Sequence, residues 1–166
     1  MIDFHSIEVS LDHSRPGFVA QYLNPGLSIK NFEKLSNGVL FRDELIELFK
    51  WRNGTKFNQF LPGENIEQAA RRVAFLRDPY FIFRDFRRVL SGRDLVAKYI
   101  NKCGISGGME DYVPIFYDGM YKYLIISRTP GSDEKIYLID TKNVEVPKVV
   151  FHSLTILLSS IRTTNG

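Results

Sequence analysis

Two apolar runs separated by Asp118-Gly119 constrain this chain more than any other feature. Residues 112–117 and 120–127 carry mainly aromatic and β-branched side chains, and Asp-Gly accepts the positive φ angles of a type I′ turn. The segment therefore predicts an antiparallel hairpin. A second turn over 129–134 leads to a third run, 135–140, rich in Ile, Tyr and Leu, which extends the hairpin into a three-stranded meander.

Upstream, the period changes from two to 3.6. Ser28 caps a short helix carrying Ile29, Phe32 and Leu35, which Asn37-Gly38 stops. Residues 41–52 form the strongest helical pattern: Phe41, Leu45, Leu48 and Phe49 make an apolar stripe. Asp43 and Glu44 suit its first turn, Lys50 and Arg52 its last, and Asn53-Gly54 supplies a left-handed C-cap. Residues 64–76 predict another helix, capped by Asn65, with Ile66, Ala69, Ala70 and Val73 on one face and Glu67 four residues before Arg71 on the other. Residues 80–103 predict two helices or one broken helix, with 80–83 open to a strand reading, and 104–108 is a glycine-rich linker. Leu154, Leu157, Leu158 and Ile161 predict a final helix packed on the sheet.

Arg15-Pro16-Gly17 and Asn24-Pro25-Gly26 break residues 1–27 into a loosely packed lead-in, of which 1–25 is read as variable. The expected fold is thus a single α+β domain over 26–166, an antiparallel sheet with a C-terminal meander flanked by several helices. A chain of 166 residues supports one sizeable core, and no stretch reaches the roughly 20 apolar residues of a membrane helix. The opening Met-Ile-Asp-Phe-His lacks the basic and apolar regions of a secretory signal, so a cytoplasmic location is expected. Cys103 is the only cysteine and has neither a disulfide nor a CxxC partner.

Catalytic chemistry finds little footing in this pattern. His5, His13 and His152 lie far apart, and Glu110-Asp111 and Asp133-Glu134 sit in polar loop-like stretches. Residues 104–108 lack the ending of a phosphate loop. No metal or cofactor is expected, and a thiol enzyme built on Cys103 ranks last.

The basic segment is more informative. Between Ala69 and Cys103, nine Lys and Arg face three Asp, leaving a surplus of six charges in a chain whose total is +3. Arginine dominates there, and its planar guanidinium pairs with carboxylates or phosphates and stacks on rings. Arg71, Arg72, Arg84, Arg87 and Arg88, with Tyr80, are the candidate partner-binding residues, expected to cluster and to lack internal acids. Should they prove to be a solvated face, the open side of the sheet is the next place to look.

The run Leu40-Phe41-Arg42-Asp43-Glu44-Leu45-Ile46-Glu47-Leu48-Phe49-Lys50-Trp51-Arg52-Asn53-Gly54-Thr55 resembles the signature of the SUKH superfamily. That signature is a Leu-Pro start, an amphipathic helix and a closing aromatic-x-Asn-Gly, and here Phe41 takes the place of the proline. Pro114-Ile115 with Asp118-Gly119 is similar to the family's Pro-Ile strand and hairpin, and residues 152–161 to its closing helix. The resemblance implies an α+β fold with no catalysis. It also implies an immunity protein that binds and neutralises a cognate bacterial toxin, with Leu40, Trp51, Asn53, Gly54, Pro114, Ile115, Asp118 and Gly119 in structural roles. A nucleic-acid-binding module using residues 71–93, or a signalling scaffold like the fungal members, is the alternative. No membrane partner is expected.

Overall fold

The computed structural model describes residues 2–57, 60–77, 79–105, 109 and 111–165, with side chains through 161. Eight helices and eight strands are present among them. The chain runs α1 (Phe4–Ser14), α2 (Phe18–Tyr22), β1 (Leu23–Pro25), α3 (Ile29–Ser36), α4 (Asp43–Trp51), β2 (Arg52–Thr55) and α5 (Ile66–Arg72). It continues with β3 (Leu76–Arg77), β4 (Tyr80–Phe83), α6 (Phe86–Ser91), α7 (Arg93–Lys102), β5 (Tyr112–Tyr117), β6 (Lys122–Ser127), β7 (Ile136–Asp140), β8 (Lys148–Phe151) and α8 (Leu154–Asn165). The fold class is α+β, as the change of period implied. No helix among the described residues is long and apolar enough to cross a membrane.

The sheet is larger than the expected three-stranded meander. Six antiparallel strands follow in the order β3-β4-β5-β6-β7-β8, because residues 80–83 form a strand and Lys148–Phe151 adds another at the far edge. Only four residues long and half polar in context, β8 shows no period that a sequence reading can use. A separate pair, β1-β2, lies against β4, where the Thr55 hydroxyl accepts from the Phe83 amide at 3.2 Å.

Alternation along the strands sends two sets of side chains to two covered faces. Phe81, Phe83, Val113, Ile115, Leu124, Ile126 and Ile136 meet α1, α3, α4 and α8 in the main core. On the opposite face, Tyr112, Tyr123, Ile125 and Ile139 meet Val96, Tyr99 and Ile100 of α7, and Ile82 meets Ala70 and Val73 of α5. Helices thus cover both faces over the central strands β5 and β6, whereas β8 is exposed.

Several boundaries differ from expectation for local reasons. The lead-in is not loose: Asp3 caps α1 by accepting from the Ser6 amide at 3.1 Å, and Ile7, Leu11, Phe18, Val19 and Leu23 are buried, with α1 lying along α8. Its turn formers punctuate elements without preventing burial, Gly17 taking φ 78°. Helix α4 starts at Asp43 and ends at Trp51, capped by Arg52 in an extended conformation, so Asn53 and Gly54 lie in β2 and do not form the expected left-handed C-cap. Helix α5 stops at Arg72, because Ala74 to Leu76 lead into the β3-β4 hairpin. Ile29 and Ile66, expected on apolar faces, are exposed at the helix starts. The Asp118 turn is longer than type I′: Asp118 itself is not at positive φ, and its carboxylate accepts from the amides of Met120, Tyr121 and Lys122 at 2.8–2.9 Å. Helix α8 buries its stripe, as predicted, between α1 and the sheet. Of the linker, residues 106–108 lie outside the described residues, as does Glu110.

Candidate protein interface

Tyr80, Ile82 and, just past the strand end, Arg84 alternate onto the same side of β4. Ile82 packs beneath α5, which carries Arg71 and Arg72 to the same rim. The Arg71 guanidinium carbon lies 5.4 Å from the Tyr80 ring centroid, and its Nη2 donates to Glu67 Oε1 at 2.7 Å. Arg72 lies 5.8 Å from the Tyr22 ring and grips Glu64 with two hydrogen bonds of 2.9 and 3.0 Å, which raises its pKa and lowers that of Glu64. Four residues along β4, a separation of roughly 13 Å, Arg84 rests over Tyr117 and Tyr123 at 5.6 and 5.3 Å. Burial lowers the Arg84 pKa, and the nearby charge of Arg88 acts in the same direction.

The structure thus joins Arg71, Arg72 and Tyr80 at one end of β4 and sets Arg84 and Arg88 at the other. The expectation that these arginines lack internal acids fails for three of them. Arg71 and Arg72 meet glutamates of, or just before, their own helix, and Arg88 pairs with Asp85 at 2.8 Å, because that aspartate caps α6. Arg87 is exposed and makes no ion pair among the described residues.

One further arginine escaped the sequence reading. Arg15, in the turn after α1, lies 3.8 Å from the Phe18 ring centroid and donates from Nη1 to the Ala74 carbonyl at 2.5 Å. Its Nε and Nη2 are buried without hydrogen-bond partners, and burial followed by the charge of Arg77 lowers its pKa to about 10, against the opposing pull of Tyr22 and Tyr80. Nothing in a Pro-Gly turn signals a half-buried cation; only the fold brings Arg15 to the arginine segment.

Most of the residues that carry the resemblance make contacts within the fold. Trp51 donates from Nε1 to Glu8 at 2.7 Å and stacks on Phe4 at 4.9 Å. The Asn53 side chain accepts from the Phe86 amide at 2.8 Å, and Gly54, at φ 77°, presses against the backbone of Arg84 and Asp85. Pro114 packs under Gly92, Ile115 is fully buried, and Gly119 at φ 87° lies against Ala70. Leu40 is exposed, and its carbonyl accepts from Arg128 at 3.0 Å.

The acidic residues are tied into the same framework. Asp133 accepts from the hydroxyls of Tyr112 and Tyr137 at 2.9 and 2.6 Å and from the Lys135 amide at 3.0 Å. Burial would raise its carboxyl, but these bonds outweigh it and hold the pKa below the usual aspartate range. Asp111 accepts from Ser127 at 2.8 Å and from the Thr129 hydroxyl. Buried Arg42 closes the same turn by donating to the Asp133 and Ser132 carbonyls at 2.8 and 3.2 Å. The Cys103 thiol is 3.1 Å from the Glu145 carbonyl, and the three histidines are exposed. Among the described residues no three potential metal ligands converge.

Comparison with protein-family models and with curated proteins finds no match.

Proposed function

We propose that this chain is a non-catalytic protein-binding domain, an immunity protein of SUKH type that acts in the cytoplasm by occluding a cognate toxin. The observation that carries this reading is the division between fold and rim. Most of the motif residues from Trp51 to Gly119 brace the backbone, whereas Arg71 and Arg87 stand exposed, Arg71 beside the half-exposed ring of Tyr80. Arginine beside tyrosine at a surface is the composition of an interface hot spot. The glutamates and aspartate that engage Arg71, Arg72 and Arg88 also compete with phosphates, which weighs against the nucleic-acid alternative.

The test is co-expression with the product of the adjacent gene. The chain should restore growth of cells making that product and co-purify with it. Undiminished toxicity in the presence of folded, soluble chain contradicts the reading.

A further inference from the structure

The sheet curls until its two edge strands face each other across an apolar groove. Leu76 and Arg77 of β3 line one side with Pro79 and Phe81, while Val150 and Phe151 of β8 line the other. Ser160 and Ile161 of α8 close one end, leaving a cavity of about 210 Å³. Since an apolar cavity of about 150 Å³ holds a benzene-sized group, this one admits a large aliphatic or aromatic side chain.

Three observations say what covers it. First, β8 ends the sheet, so its outer backbone donors and acceptors have no strand partner. Second, the segment leading into β8 and β8 itself expose Val144, Val146, Val149 and Val150 at 49, 72, 38 and 37 %. A β-branched edge left open in this way is a template for pairing with another chain. Third, Arg77 is the charged residue among the described residues that line the groove, and Lys148 lies on β8. Arg15, close enough to be repelled by the like charge of Arg77, adds to the same positive field.

We propose that β8 takes up an extended segment of a partner protein as a seventh strand, with alternate apolar side chains entering the groove and acidic residues meeting Arg77 and Lys148. The inference rests on the protein-binding reading above and specifies its mode. Strand addition draws affinity from backbone hydrogen bonds and selectivity from every second side chain, the period that one groove beside one edge can read. A second copy of this chain fits less well, because β8 carries Lys148 and no acid and would bring further cations to a basic seam.

The probe is a displayed library of random twelve-residue peptides panned on the intact protein. Enriched peptides should alternate apolar and acidic residues, and N-methylation of alternate amides in the best binder should weaken it about tenfold or more, the loss of one or two hydrogen bonds. Val150→Glu and Arg77→Glu, both at exposed positions, should weaken it similarly in protein whose circular dichroism is unchanged. The proposal is overturned by a library that yields no binder, by binders indifferent to N-methylation or to both substitutions, or by a chain that sediments as a dimer which Val150→Glu dissociates. Failure of the peptides with toxin neutralisation intact rejects strand addition alone. Failure of neutralisation with the peptides still bound rejects the immunity reading alone.

Discussion

Within one short strand, β4 serves two unlike regions. Phe81 and Phe83 enter an interior of packed rings, whereas Tyr80 and Arg84 enter a rim of cations on aromatic faces. In the interior, Phe83 lies 5.5, 5.4 and 5.7 Å from Phe49, Phe75 and Phe116, and Phe86 stacks on Phe32 at 4.4 Å. These rings are buried, and each contributes about 1.5–3 kcal/mol through the surface it removes from water. The rim contains ion pairs in contact with solvent, whose contribution is small beside that of the buried rings. Stability is thus concentrated on the ring-packed side of β4, and the exposed cations on the other side can vary without unfolding the domain.

The sharpest way to break this contrast is on the interior side. Phe83→Ala should cost about 3 to 5 kcal/mol, because it opens a cavity where three rings meet. A urea midpoint close to that of the parent protein would mean that the interior is not packed as described. Gly54→Val should cost on the order of 2 kcal/mol or more, combining a left-handed backbone with a side chain driven into the Arg84–Asp85 backbone. Wild-type thermal stability of this variant would contradict the placement of β2 against that turn. Asp133→Asn should have a smaller effect, about 1 kcal/mol after allowance for solvent screening. The folded-state pKa of Asp133 lies below its unfolded value. Its contribution is therefore complete above the ordinary aspartate pKa near 3.8 and is lost as pH falls through the lower folded value. Acid titration should show the parent protein losing stability over that window and the Asn variant losing less; identical acid limbs would remove Asp133 from the account.

How far the sequence announced this structure follows from the range of the interactions involved. Helices α3 and α4 and strands β5 to β7 were legible because their signals are local: the Ser28 and Asn37 caps, the Leu45-Leu48-Phe49 stripe and the Asp118-Gly119 turn. Strand β8 was not legible, since Lys148-Val149-Val150-Phe151 becomes a strand only by pairing with β7. The packing of α1 depends on α8, some 140 residues away in sequence, which no local pattern reports. At the rim, Arg71, Arg72 and Tyr80 were found from charge density, but their glutamates and the approach of Arg15 depend on the fold. Gly54 was correctly read as a positive-φ glycine for a mistaken reason, since it lies in a strand pressed against another backbone.

The smallest effect expected on stability is the most telling for function. Arg71→Glu combined with Arg87→Glu reverses two exposed charges, one on the rim and one on α6, and should shift unfolding by less than about 1 kcal/mol, the loss of the Arg71–Glu67 pair included. The decisive measurement is the calorimetric affinity of parent and double variant for the product of the adjacent gene. The account predicts a loss of about 2 kcal/mol or more of binding free energy, some thirtyfold in Kd, by a variant with the parent's circular dichroism. An unchanged affinity would show that the arginine–tyrosine rim is a solvated surface and would contradict the assignment of recognition to it.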